Sequence, residues 1–69
     1  MHSTVKQFGK KVREIRLQKK MSQGDVAKIL DVHRSYISGI ERGVRNPSLT
    51  TIEKVAKALG VPKETLVKF

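Results

Sequence analysis

The side chains in this sequence with the means to do chemistry are hydrogen-bond donors gathered in one stretch, not nucleophiles or metal ligands. Between residues 22 and 46 stand Gln23, His33, Arg34, Ser35, Tyr36, Ser38, Arg45 and Asn46. An arginine carries a planar fork of donors that matches the paired acceptors on the edge of a guanine. Amides, hydroxyls and free backbone N–H groups suit phosphate oxygens, which fix register without reading sequence. The raw material for catalysis is thin by comparison. His2 and His33 are the only histidines, cysteine is absent, and the six acids are scattered along the chain. A terminal histidine and a distant turn histidine make no metal-ligand spacing. The expectation is therefore no catalytic residue, no metal, no cofactor and no enzyme.

Charge narrows the partner. Fifteen lysines and arginines against six acids give a formal charge of +9 on 69 residues, which suits a polyanion such as nucleic acid or an anionic membrane. No stretch approaches the roughly 20 apolar residues that span a bilayer, and basic residues occupy the N-terminal region where a signal peptide needs its apolar run. No membrane partner is expected, and the expected compartment is the cytoplasm. A cysteine-free chain of this length must draw its stability from helix packing or from dimerisation.

The donors need elements to position them. Val5, Phe8, Val12 and Ile15 recur at three- and four-residue steps, the spacing of one helical face, so a first helix is expected over residues 4–19. Ser22 can cap a second helix over residues 23–30, with Asp25 placed to reach back in a variant capping box. Val26, Ala27, Ile29 and Leu30 supply its apolar face. After a three-residue interruption at residues 31–33, Tyr36, Ile37 and Ile40 mark a third helix over residues 34–42, stopped by Gly43. Ser48 starts a fourth over residues 48–59, with Leu49, Ile52, Val55, Ala56 and Leu59 inward and Gly60 at its end. Pro62 suits the first turn of a last helix over about residues 62–69. The expected fold is all-α, a compact five-helix bundle forming one domain over residues 1–69.

Two short helices joined by a tight turn, residues 22–43 (SQGDVAKILDVHRSYISGIERG), carry the donors. The segment resembles the helix-turn-helix of the phage repressor and Cro-like regulators, often called the XRE family. The resemblance covers roughly residues 8–62, and residues 33–49 (HRSYISGIERGVRNPSL) are similar to restriction-modification controller proteins. In such a motif the small Ala27 admits the crossing helix, and Val26, Leu30, Val32, Ile37 and Ile40 lock the angle. The locked angle projects one helix into the major groove, about 12 Å wide. On that helix His33, Arg34, Ser35 and Ser38 are the candidates for base readout, with Arg34 foremost. Gly39 has no side chain to read with, and close backbone approach is its expected use.

The resemblance implies further roles. Gln23 matches the family's phosphate-binding glutamine at the start of the second helix. Arg45 and Asn46 match a contact site after the recognition helix, with Arg45 also reaching bases and Asn46 phosphate. Tyr36 is expected to pack its ring and set its hydroxyl on a phosphate. Arg16 and Glu41 match an internal ion pair, expected to be partly buried and to aim Arg16 at the DNA backbone, a phosphate contact in its own right. Two positions depart from the family pattern: Asp31 stands where the turn usually has glycine, and Gly24 where a better helix former is usual. Aspartate enters left-handed conformations more readily than most residues, so the first departure is tolerable.

One recognition helix covers about half a turn of duplex, so two half-sites and a homodimer are expected. Val61, Leu66, Val67 and Phe69 are the expected interface, being apolar at the end of a domain with little core left to receive them. The function expected is a transcriptional regulator that reads an imperfect palindrome in double-stranded DNA, of the restriction-modification controller kind, with no small-molecule effector. The alternatives are an antitoxin or protein-interaction module on the same fold, or the DNA-binding end of a larger protein.

Overall fold

A computed structural model describes residues 4–68 of the chain, and five helices account for most of them. The order is α1 (Thr4–Gln18), α2 (Gln23–Leu30), α3 (Arg34–Glu41), α4 (Leu49–Leu59) and α5 (Lys63–Val67), with no strand among the described residues. The all-α expectation holds, and each expected helix is present within a residue or two of its expected bounds.

Local chemistry sets the boundaries. Ser22 Oγ accepts from the Asp25 N–H at 2.9 Å while the Ser22 N–H donates to Asp25 Oδ2 at 2.8 Å, a complete capping box. Asp31 closes α2 in the left-handed region at φ 57°, ψ 47°, the conformation that a turn glycine would otherwise supply. Ser48 caps α4 by accepting from the Thr51 N–H at 3.1 Å. Gly60 ends α4 at φ 71°. Pro62 is the N-cap of α5 and not a first-turn residue.

The core is a single cluster of Phe8, Val12, Ile15, Val26, Ala27, Ile37, Ile40, Val55, Ala56, Leu59 and Leu66. Every helix contributes, so α2 and α3, two turns each and too short to persist alone, are held by their neighbours. Close approach of α1 and α3 depends on Gly9. A Cβ there would collide with the backbone carbonyl oxygens of Ile40 and Glu41.

Several apolar residues lie elsewhere than expected. Leu49 is 80 % exposed because it occupies the first turn of α4, before that helix meets the core. Ile29 and Val32 are also exposed, so Val32 does not help to lock α2 against α3, whereas Leu30 packs on the core edge. Leu66 is fully buried. It closes the monomer core and is unavailable as a dimer contact. Val61 packs partly against the same cluster, and Val67 is 44 % exposed. Phe69 lies outside the described residues.

Candidate nucleic-acid interface

The turn after Asp31 delivers the start of α3 beside the start of α2. His33 is the N-cap of α3, its Nδ1 accepting from the Ser35 N–H at 3.1 Å and lying 2.9 Å from Ser35 Oγ. An Nδ1 that accepts leaves Nε2 as the nitrogen of this exposed ring able to donate. Arg34 follows as the first helical residue and is exposed. Its stem passes close to α2: a Cβ on Gly24 would lie in ordinary contact with it, 4.0 Å from Arg34 Cδ. His33, Arg34 and Ser35 are exposed at the start of α3, whereas Ser38, expected on the same exposed face, is half-buried in the middle of the helix.

The flanks hold the remaining donors. Gln23, half-buried at the first position of α2, donates from Nε2 to Glu41 Oε1 at 3.1 Å, a contact the sequence did not announce. Its amide keeps one further N–H. Tyr36 packs its ring against the core and lies under Arg45, whose Cζ is 5.9 Å from the ring centroid. Arg45 and Asn46 are both exposed in the loop after α3. Gly43 adopts φ 75° there, and its N–H donates to the Ile40 carbonyl at 3.0 Å.

Arg16 is positioned differently from the other candidates. Its Nε donates to Glu41 Oε2 at 2.6 Å, its Nη2 to Glu41 Oε1 at 3.0 Å and its Nη1 to the Met21 carbonyl at 2.9 Å. The Arg16 side chain is 8 % exposed and that of Glu41 is 3 % exposed. Donation to the Glu41 carboxylate holds the guanidinium pKa above its ordinary value, burial opposes this, and Coulomb attraction to Glu41 adds to it. The expected internal pair is present, but the guanidinium points inward at Glu41 and Met21. The phosphate role expected of Arg16 finds no support in this geometry.

The surface as a whole is basic. Lys10, Arg13, Lys19, Lys20, Lys28, Arg34, Arg42 and Arg45 are all exposed on α1 to α3 and the connections between and after them. No group of three or more histidine, cysteine, aspartate or glutamate side chains converges to hold a metal among the described residues. No helix among the described residues is long and apolar enough to cross a membrane.

The helix-turn-helix family model matches residues 12–66. The chain belongs to this helix-turn-helix family. Control protein C.BamHI of Bacillus amyloliquefaciens is 59 % identical over 63 residues, which span 90 % of this chain and 78 % of that protein. The crystal structure of the restriction-modification controller protein C.AhdI from Aeromonas hydrophila superposes with a TM-score of 0.89 at 40 % identity, covering 94 % of this chain and 98 % of that one. The controller C.Esp1396I, solved as a tetramer in complex with its natural 35 base-pair operator, superposes with a TM-score of 0.85 at 33 % identity, covering 96 % of this chain and 87 % of that one. The helix-turn-helix expectation drawn from residues 22–43 therefore holds at the level of family and fold.

Proposed function

We propose that this chain is a restriction-modification controller, a sequence-specific regulator of transcription that binds an imperfect palindrome in double-stranded DNA. The observation that carries the reading is the placing of His33, Arg34 and Ser35, all exposed, at the N-terminal end of α3, with Ser38 half-buried one turn on. That is the end which a recognition helix presents to base edges. The likeness to C.BamHI and C.AhdI supports it, as does the operator bound by C.Esp1396I. Regulators of this kind are not an enzyme class.

In this reading Arg34 takes the paired acceptors of a guanine, and His33, Ser35, Ser38 and Arg45 read or flank neighbouring bases. Gln23, Tyr36 and Asn46 hold phosphates on either side. The formal charge of +9 supplies the sequence-independent part of the affinity, which falls as salt rises. The chain acts as one domain in the cytoplasm, as a homodimer whose two recognition helices meet half-sites about one helical turn apart. Val67 contributes to the dimer contact together with Leu49, which shares its groove between α4 and α5. With no effector in the scheme, the protein's own concentration sets occupancy of its site.

Enrichment from a random-sequence duplex pool tests this. A two-fold-symmetric motif with half-sites spaced by about 10 base pairs is the expected result. Salt-sensitive retention of DNA with no motif would reduce the interaction to charge and sink the reading.

A further inference from the structure

Gly39 sits inside α3, where a glycine weakens a helix. It is buried, and the atoms nearest its missing Cβ belong to a loop side chain and not to another helix. A Cβ at Gly39 would lie 2.8 Å from Arg45 Cγ, 3.4 Å from Arg45 Nε and 3.6 Å from Arg45 Cδ, and these are its three nearest atoms. Tyr36, three residues earlier on the same side of the helix, sets its ring 5.9 Å from Arg45 Cζ. The loop backbone is tied to the same glycine, because the Val44 N–H donates to the Gly39 carbonyl at 3.0 Å. Gly39 therefore anchors the loop at Val44 through its carbonyl and admits the side chain of the next residue, Arg45, through its lack of a Cβ.

We infer that Gly39 is a positioning residue for Arg45. Its missing side chain opens a slot in α3, walled by Tyr36, that holds the arginine stem against the helix and makes the guanidinium part of the surface carrying Ser35 and Ser38. At a separation close to the roughly 6 Å limit for a cation over a ring, Tyr36 acts as a wall more than as an attractor. An arginine free in a loop loses rotamer entropy when it is fixed on a ligand, and the slot removes part of that cost before DNA arrives. This inference rests on the reading of Arg45 as a DNA contact.

Four full-length proteins test it: the unaltered chain, Gly39→Ala, Arg45→Ala and the double variant, each titrated by fluorescence anisotropy against one duplex carrying the selected palindrome and each melted alone. Gly39→Ala is expected to melt near the parent temperature, because the gain in helix propensity offsets the displacement of the Arg45 stem, whose Cγ at 2.8 Å must move. The same variant is expected to bind about tenfold more weakly, within the range an arginine–base contact carries. Arg45→Ala weakens binding comparably, and the double variant is no weaker than Arg45→Ala alone. Parent-like binding by Gly39→Ala beside a weakened Arg45→Ala would overturn the slot while leaving Arg45 a contact. Parent-like binding by Arg45→Ala would instead remove the contact itself, and the slot with it. An equal loss from Gly39→Ala in both backgrounds would assign Gly39 to direct backbone approach and overturn the inference, as would a loss of folding that Arg45→Ala fails to relieve.

Discussion

Arg16 of α1 and Glu41 of α3 meet fork to fork, with hydrogen bonds of 2.6 and 3.0 Å across 25 residues of sequence, both side chains almost wholly withdrawn from solvent. Glu41 Oε1 also accepts from Gln23, and Arg16 also donates to the Met21 carbonyl, so one ion pair ties α1, the α1–α2 turn, α2 and α3 together. Breaking one partner of such a pair leaves a buried charge uncompensated, at roughly 3–5 kcal/mol. Glu41→Ala should therefore lower the melting temperature sharply in thermal denaturation. An unchanged melting temperature would show that water reaches Arg16 freely.

The capping box at α2 predicts an acid-side dependence. The Ser22 backbone N–H, then the Ser22 hydroxyl, hold the Asp25 carboxyl below its ordinary pKa, with desolvation opposing them and Lys28 adding the smallest pull. A carboxylate whose pKa falls on folding stabilises fully above the unfolded-state value and loses that contribution as pH drops through the folded-state value. Stability measured by urea titration across the acid range should fall less steeply for Asp25→Asn than for the parent. At neutral pH, Ser22→Ala should cost about 1 kcal/mol, the usual worth of an N-cap.

Two glycines should respond in opposite directions. At Gly9 an added Cβ strikes the carbonyl oxygens of Ile40 and Glu41, backbone that cannot step aside. Gly9→Ala should destabilise by at least about 1–3 kcal/mol, the usual cost of overpacking. At Gly24 the nearest atoms are Ser22 Oγ at 3.6 Å and Arg34 Cδ at 4.0 Å, which is ordinary contact. Gly24→Ala should stabilise by up to about 1 kcal/mol through helix propensity. Melting curves of the two variants decide it.

Leu66 and Val67 are neighbours in sequence with separate expected roles. Leu66→Ala should cost roughly 2–5 kcal/mol, as for other fully buried leucines, because Leu66 closes the core. Val67→Asp should leave the melting transition of the monomer near that of the parent and shift the sedimentation-derived mass from dimer towards monomer. A parent-like mass distribution for Val67→Asp would remove Val67 from the interface.

Much of this fold is legible in the sequence because its punctuation is local. Ser22 with Asp25, Asp31, Ser48 and Gly60 each act on backbone groups within a few residues, and each does so in the structure. The Arg16–Glu41 pair is reached differently, through family resemblance, since nothing in spacing alone joins residues 25 apart. What the sequence leaves hidden depends on how helices cross. Leu66 and Val67 at the end of the last helix look alike in sequence, yet Leu66 is buried and Val67 is not. Leu49 continues the helical periodicity of α4 but precedes its contact with the core. Gly9 betrays no role in sequence, and Gly39 suggests there only a close backbone approach, whereas the atoms beside its missing side chain are those of the Arg45 stem. The readout cluster is legible where it follows from the start of α3, and less so at Gln23, whose bond to Glu41 needs α2 and α3 already packed.

The central claim is that α3 reads base edges and that Arg34 is its foremost reader. Base-by-base binding of the parent and of Arg34→Ala to single substitutions of the selected palindrome tests it most directly. The predicted result is that Arg34→Ala becomes indifferent to one position in each half-site, losing roughly 1–3 kcal/mol of discrimination there while keeping its preferences elsewhere. A uniform loss of affinity that leaves the preference at every position intact would contradict it, and would make Arg34 a phosphate contact and the sequence reader some other residue.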